Sequence, residues 1–262
     1  MDNMIQTGQY RDIIKKIKTK RLIAAIINSG IIIVWAFINI ITMFKYTSGS
    51  LIMIFLPPLA VIMNWIAVQI IFMPIPRSLT EQADPQKYLA LSTAFKVKDM
   101  DSVCCLAYFY MGNFLGAKYY SEKLSQSKKA KIKLSGLFNK ACCEFFLNDI
   151  EAFKKTAMQF KYAVANEKMR KKHRKLFENN VKYLDLMAAF SENNTEQIAL
   201  CQNLVSTTKS KVSQGLTNYL RGIAAYILGD REKAIYYFVA VKTECPKTFF
   251  PPLCDQYLEK LK

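Results

Sequence analysis

The side chains that most often carry chemistry are few in this chain, and their spacing does not assemble a familiar site. The seven cysteines are Cys104, Cys105, Cys142, Cys143, Cys201, Cys245 and Cys254, and no two of them form the Cys-x-x-Cys pair that zinc or thiol–disulfide chemistry uses. An odd number of thiols in segments that read as helical predicts reduced, mostly buried cysteines in a cytoplasmic setting. His173 is the only histidine. It stands among cations and is a poor candidate for a catalytic triad or a zinc site. No Gly-rich phosphate loop occurs. The expectation is therefore no catalytic residue, no metal and no cofactor.

The densest charge is the run Lys168, Arg170, Lys171, Lys172, Arg174 and Lys175, preceded in the chain by Lys128, Lys129, Lys131 and Lys133. Such a run can rest on anionic lipid or meet an acidic partner, and it can equally be a solvated helix face. It lacks the interleaved aromatics on which bases stack, so it offers nucleic acid little beyond charge, and nucleic acid is not an expected partner.

These residues sit in a chain whose charge is unevenly spread. Its 262 residues carry 37 basic and 20 acidic side chains, a net charge of +17, yet between Leu22 and Ile75 the only charge is Lys45. Leu22–Phe44 is uncharged for 23 residues. At 1.5 Å per residue a helix of that length reaches ~34 Å, enough for a ~30 Å hydrocarbon core. A cleaved secretory signal is the competing reading, but it needs a shorter apolar core and a small-x-small cleavage site. Leu51–Ile75 is a second such run, with Pro57 and Pro58 near its start and Asn64 and Gln69 inside it, and only a short connection separates the two. The pattern predicts a transmembrane helical hairpin. Six basic residues precede the first run, which by the positive-inside rule places both termini in the cytoplasm, at a bacterial inner membrane or an endoplasmic reticulum. No ionisable side chain lies inside either run, so the hairpin reads as an anchor and not as a pump.

From Tyr88 on, apolar residues recur at three- and four-residue spacing, which predicts helices throughout. Four helix–turn–helix units share one layout, with turns at Gly112-Asn113, Asn148-Asp149, Asn193-Asn194 and Gly229-Asp230. Successive turns are 36, 45 and 36 residues apart. The longer middle interval contains the basic run, and the extra residues are expected to lengthen the helix before Phe177 or the loop leading to it.

The last unit resembles a tetratricopeptide repeat. Gly222 stands where that family keeps a small residue on the first helix. Gly229-Asp230 is the turn, Ala234 the small residue of the second helix, Phe238 its neighbour, and Pro246 the helix-ending proline. The unit around Asn113 keeps Ala117 and the pair Phe109-Tyr110, whereas Phe153 and Ile198 replace the small alanine in the other two. The resemblance covers roughly residues 99–246.

It implies a tetratricopeptide-like α-solenoid, which with the transmembrane hairpin read from the two uncharged runs makes the expected fold all-α. The expected organisation is a basic tail over 1–21, two spans over 22–44 and 51–75, a linker and entry helix over 76–98, repeats over 99–246 and a capping helix over 247–262. In that family, two columns of the first helices tend to line a concave groove. Here one column holds Phe109, Phe145, Phe190 and Tyr226, and the other, seven residues earlier, holds Ser102, Phe138, Tyr183 and Tyr219. The resemblance thus implies an aromatic groove for a peptide or helix of a protein partner. The alternative is that the same rings fill the core between repeats. The lysine–asparagine clamp that some members use for acidic peptide tails is not supported: the columns hold the residues just named and Leu106, Cys142, Met187 and Ile223. Two roles follow as expectations. One is a non-enzymatic membrane-anchored adaptor, and the other is a structural subunit of a larger transport or secretion complex assembled through the spans.

Overall fold

The computed structural model describes residues 10–45, 61–62, 65–206 and 208–262, and among them every regular element is a helix. The chain divides into two compact units, one ending at Pro76 and the other spanning Arg77–Lys262.

In the first unit, helix α1 (Arg11–Lys45) runs without a proline for 35 residues, with Asp12 in its first turn, where a carboxylate suits the helix dipole. Its stretch Arg11–Phe37 is long and apolar enough to cross a membrane, with mean hydropathy 1.6, and none of its most apolar window is buried by protein. Leu22, Ile33 and Phe37 are 63%, 66% and 65% exposed. Residues 65–72 are also helical, and Trp65, Ile66 and Ile70 are likewise exposed. The expected connection from Tyr46 to Ser50, and the start of the second apolar run with Pro57, Pro58 and Asn64, lie outside the described residues.

After α2 (Pro74–Thr80) and α3 (Pro85–Ala94), the second unit continues as α4 (Met100–Tyr110), α5 (Phe114–Ser125), α6 (Ala130–Phe146), α7 (Ile150–Asn166), α8 (Lys171–Ser191), α9 (Thr195–Cys201), α10 (Lys211–Ile227), α11 (Arg231–Glu244) and α12 (Phe250–Lys260). From α3 on, each helix packs against the next. Antiparallel register is visible in the ion pairs that cross between neighbours. Lys140 reaches Glu122 at 3.3 Å between α6 and α5, Lys133 reaches Glu167 at 2.8 Å across the α6–α7 hairpin, and Lys154 reaches Glu192 at 3.0 Å between α7 and α8.

One local device makes four of the reversals. Gly112, Asn148, Asn193 and Gly229 have φ of 80°, 60°, 50° and 77°, the left-handed region that glycine and asparagine tolerate best. Each is followed at once by an Asx N-cap. Asn113, Asp149, Asn194 and Asp230 accept from the backbone N–H of Gly116, Ala152, Gln197 and Lys233. The capping residue's own N–H turns back to the preceding helix, as Asp149 does to the Glu144 carbonyl at 2.9 Å. The last free carbonyls of one helix and the first free N–H groups of the next are thus satisfied within a few residues, each cap contributing about 1 kcal/mol.

The 45-residue interval is resolved by comparing helix lengths. Helix α7 has 17 residues against 12 in α5, and α8 has 21 against 17 in α6. The connections 126–129 and 167–170 are equally short. The extra residues therefore lengthen both helices, and the α7–α8 connection reaches roughly 6–8 Å further along the helix direction at 1.5 Å per residue.

Close packing between neighbours relies on small residues. A Cβ added at Gly136 would stand 2.4 Å from the Ser125 backbone nitrogen and 2.7 Å from the Leu124 carbonyl carbon, so α5 and α6 meet there backbone to side. At Gly222 the added atom would meet the Phe238 ring at 2.5 Å. Gly136→Ala should lower unfolding free energy by about 1–3 kcal/mol, the usual cost of overpacking, since backbone cannot step aside. Chemical denaturation would show it, whereas Gly30→Ala, which meets nothing within 4 Å, should leave the midpoint unchanged or higher.

Candidate interaction surfaces

The two aromatic columns are built on the first helices α4, α6, α8 and α10, whose apolar stripes face their neighbours. Phe109, Tyr183 and Tyr219 are buried, and Phe138, Phe145, Phe190 and Tyr226 are half-buried against the same core, so none of the seven is an exposed groove residue. The rings pack on one another across helices: Phe138 lies 5.9 Å from Phe160 and 6.4 Å from Tyr183, and Phe145 lies 5.5 Å from Phe153. Tyr183 also shares a 2.6 Å hydroxyl hydrogen bond with Thr217 in α10, and burial pushes its phenol pKa up. Helix-on-helix packing thus takes up much of these ring faces, as the core-filling alternative expects, and leaves the half-buried edges of Phe138, Phe145, Phe190 and Tyr226 to solvent.

Part of the cover comes from the chain's own end. The Phe249 N–H donates to the Tyr110 carbonyl at 3.0 Å, and its ring lies 5.6, 4.9 and 5.0 Å from those of Phe109, Phe114 and Phe146. A Cβ at Gly112 would stand 3.0 Å from that of Phe249, so the first turn and the last helix meet closely. Phe250 is fully buried, 5.4 Å from Tyr219 and 6.2 Å from Tyr110. Lys247 reaches the buried carboxylate of Asp84 at 2.6 Å. The pair Phe249-Phe250 before Pro251-Pro252 was a visible apolar signal, but nothing local says which distant surface it covers.

The basic run is mostly as free as its sequence implies, with one exception. The Arg174 guanidinium donates to the carbonyls of Val164 at 3.2 Å and Glu167 at 3.1 Å, capping the end of α7, so it holds the connection in place. Lys168, Arg170, Lys171, Lys172 and Lys175 are exposed. Sequence reasoning passed over the apolar side chains that the second helices leave in solvent, among them Tyr119, Met158, Tyr162 and Tyr236. Their spacing did not separate them from core positions.

The cysteines are unpaired thiols, all buried except the half-buried Cys201. Desolvation pushes the Cys105, Cys245 and Cys254 thiols up to about 12 and raises Cys142 and Cys143 as well, so at neutral pH these are protonated, weakly nucleophilic core groups. Among the described residues no group of three His, Cys, Asp or Glu side chains could hold a metal ion. Glu144 is buried between α5 and α6 and reaches Lys118 at 3.4 Å and Lys140 at 3.9 Å, the arrangement of a packed ion cluster. Comparison with protein families, with characterised proteins and with solved structures found no match to the chain.

Replacing Phe250 with alanine should cost about 3–5 kcal/mol, as for other fully buried phenylalanines, and thermal unfolding would register the drop. Tyr162→Ala, at a side chain 73% exposed, should stay within about 0.5 kcal/mol of the parent.

Proposed function

We propose that the chain is a membrane-anchored, non-enzymatic scaffold whose tetratricopeptide-like helical array holds a protein partner beside the membrane, with both termini cytoplasmic. The observation that carries this reading is the apolar flank of α1, which protein leaves uncovered over a length sufficient to span a bilayer. Burying an aliphatic side chain of this size is worth about 1.5–3 kcal/mol, so a row of them in water is a large penalty that hydrocarbon removes. The exposed apolar residues at 65–70 support a second span and hence a hairpin. The four matching αL–Asx reversals, and Gly222 packed under Phe238, support the repeat reading of residues 99–246. The partner surface in this reading is what packing leaves open along the columns, the half-exposed edges of Phe138, Phe145, Phe190 and Tyr226.

A structural subunit of a larger membrane complex is the second reading. Gln69 favours it, an exposed amide set among exposed apolar side chains, which in a bilayer would hydrogen-bond to a neighbouring helix.

Membranes washed at alkaline pH should retain the chain in the pellet, and release to the supernatant would refute the anchor. In-cell crosslinking on the same membranes should capture a protein neighbour whose yield falls at least several-fold in Phe145→Ala/Phe190→Ala/Tyr226→Ala. An unchanged yield in that variant, with helicity intact, would move the partner surface to the spans.

A further inference from the structure

The second unit segregates its charge by end. Because neighbouring helices run antiparallel, the four αL–Asx turns lie at one end of the hairpins, and the connections 126–129, 167–170 and 202–210 lie at the other. Taken with the first residues of the helices that follow, windows 126–133, 167–175 and 202–212 hold twelve cations against one carboxylate, Glu167. The turn end is opposite in sign: turns with the first residues of their second helices, 112–117, 148–153, 193–198 and 229–234, hold five carboxylates and two cations. Most of the surplus positive charge of this unit therefore sits at one end.

That placement runs against the local electrostatics of the fold. Helices α6, α8 and α10 begin at this end, and none has a side-chain cap bond or an acidic residue in its first turn. Cations there oppose the positive end of each helix dipole, and they repel one another. Apart from Lys133, which pairs with Glu167, and Arg174, which caps α7, the cations of these windows are solvent-exposed with no ion pair among the described residues. Repelling charge gathered on uncapped helix ends is relieved when an anion from outside the chain approaches.

Its shape favours an extended anionic surface over a single small anion. The Lys133–Glu167 pair ties window 126–133 to window 167–175, the two Arg174 bonds fold the latter onto the end of α7, and Asn179 donates to the Val205 carbonyl at 3.1 Å, joining the third connection to α8. The lengthened α7 and α8 carry the densest window farthest out. Tyr162, exposed in the added last turn of α7, supplies the amphipathic ring that sits well at headgroup level. A lone exposed tyrosine provides no series of stacking platforms for bases.

We propose that this cationic end is a docking face for anionic phospholipid headgroups, with the 162–175 tip entering the headgroup layer. The proposal rests on the membrane-anchored reading above, which brings the array close to a leaflet by chain connection alone, and basic clusters beside membrane segments are attracted to anionic lipid in this way.

The test uses the full chain in nanodiscs of phosphatidylcholine alone or with phosphatidylserine added, with lysine acetylation rates read by mass spectrometry. Lys168, Lys171 and Lys172 should react several-fold more slowly in the anionic discs, with protection lost at high salt, while Lys155 near the turn end reacts equally in both. In Lys168→Gln/Lys171→Gln/Lys172→Gln, protection of Lys128 and Lys131 should fall although the chain stays in the disc. Equal rates in the two discs, with the chain retained, would overturn the docking face and leave the anchor standing. Protection by soluble poly-glutamate or RNA but not by anionic discs would also overturn it, in favour of an acidic protein or nucleic acid. A chain that elutes apart from the discs would instead overturn the anchored reading and this proposal with it.

Discussion

Apolar side chains have to leave water, and the two units of this chain meet that demand differently. In Arg77–Lys262 helix covers helix: Phe153, Phe160, Phe177, Phe238 and Phe250 are fully buried, and their rings join the core from α4 to α12. In α1 no protein covers the apolar flank that includes Leu22, Ile33 and Phe37. An apolar stretch left uncovered by protein over such a length is a candidate membrane span, since a helix satisfies its backbone hydrogen bonds internally and can enter hydrocarbon. The charge pattern follows the same division: the basic side chains of α1 from Arg11 to Arg21 cluster at its start, and residues 22–37 that follow carry no charge.

Within the second unit the reversal device sets everything else. A left-handed Gly or Asn and an Asx cap fit a helix pair into one sequence-local motif, so the interhelical rings and ion pairs need only select register. The helix pairs that carry Phe153 and Ile198 just after the turn keep that geometry, with both side chains fully buried.

What could be read from sequence was whatever depends on neighbours within a helix turn or two. The four turns, the N-caps and the apolar length of α1 all have local causes. So do the free thiols, which lack any metal-like spacing. The aromatic columns were readable as a recurrence but not as a surface, because whether a ring is exposed depends on residues such as Phe249 and Phe250, more than a hundred positions from Phe109. Arg174 looked like one more free cation, and only the fold brings its guanidinium to the α7 carbonyls. The extra residues of the middle interval were expected in the helix before Phe177 or the loop leading to it, whereas the loop is no longer than its counterpart and the length is shared between α7 and α8, a division that depends on where each helix ends. Charge segregation by end was implicit in the sequence and emerged once antiparallel packing assigned every connection to a side.

The central claim is that the uncovered apolar helix resides in lipid. The chain's two tryptophans serve as reporters, since Trp35 lies in α1 and Trp65 in the second apolar run. Intrinsic fluorescence of the full chain in bilayers carrying bromine on the acyl chains should be blue-shifted and strongly quenched relative to unbrominated bilayers. Emission at the wavelength of water-exposed tryptophan, indifferent to bromination, would contradict the account.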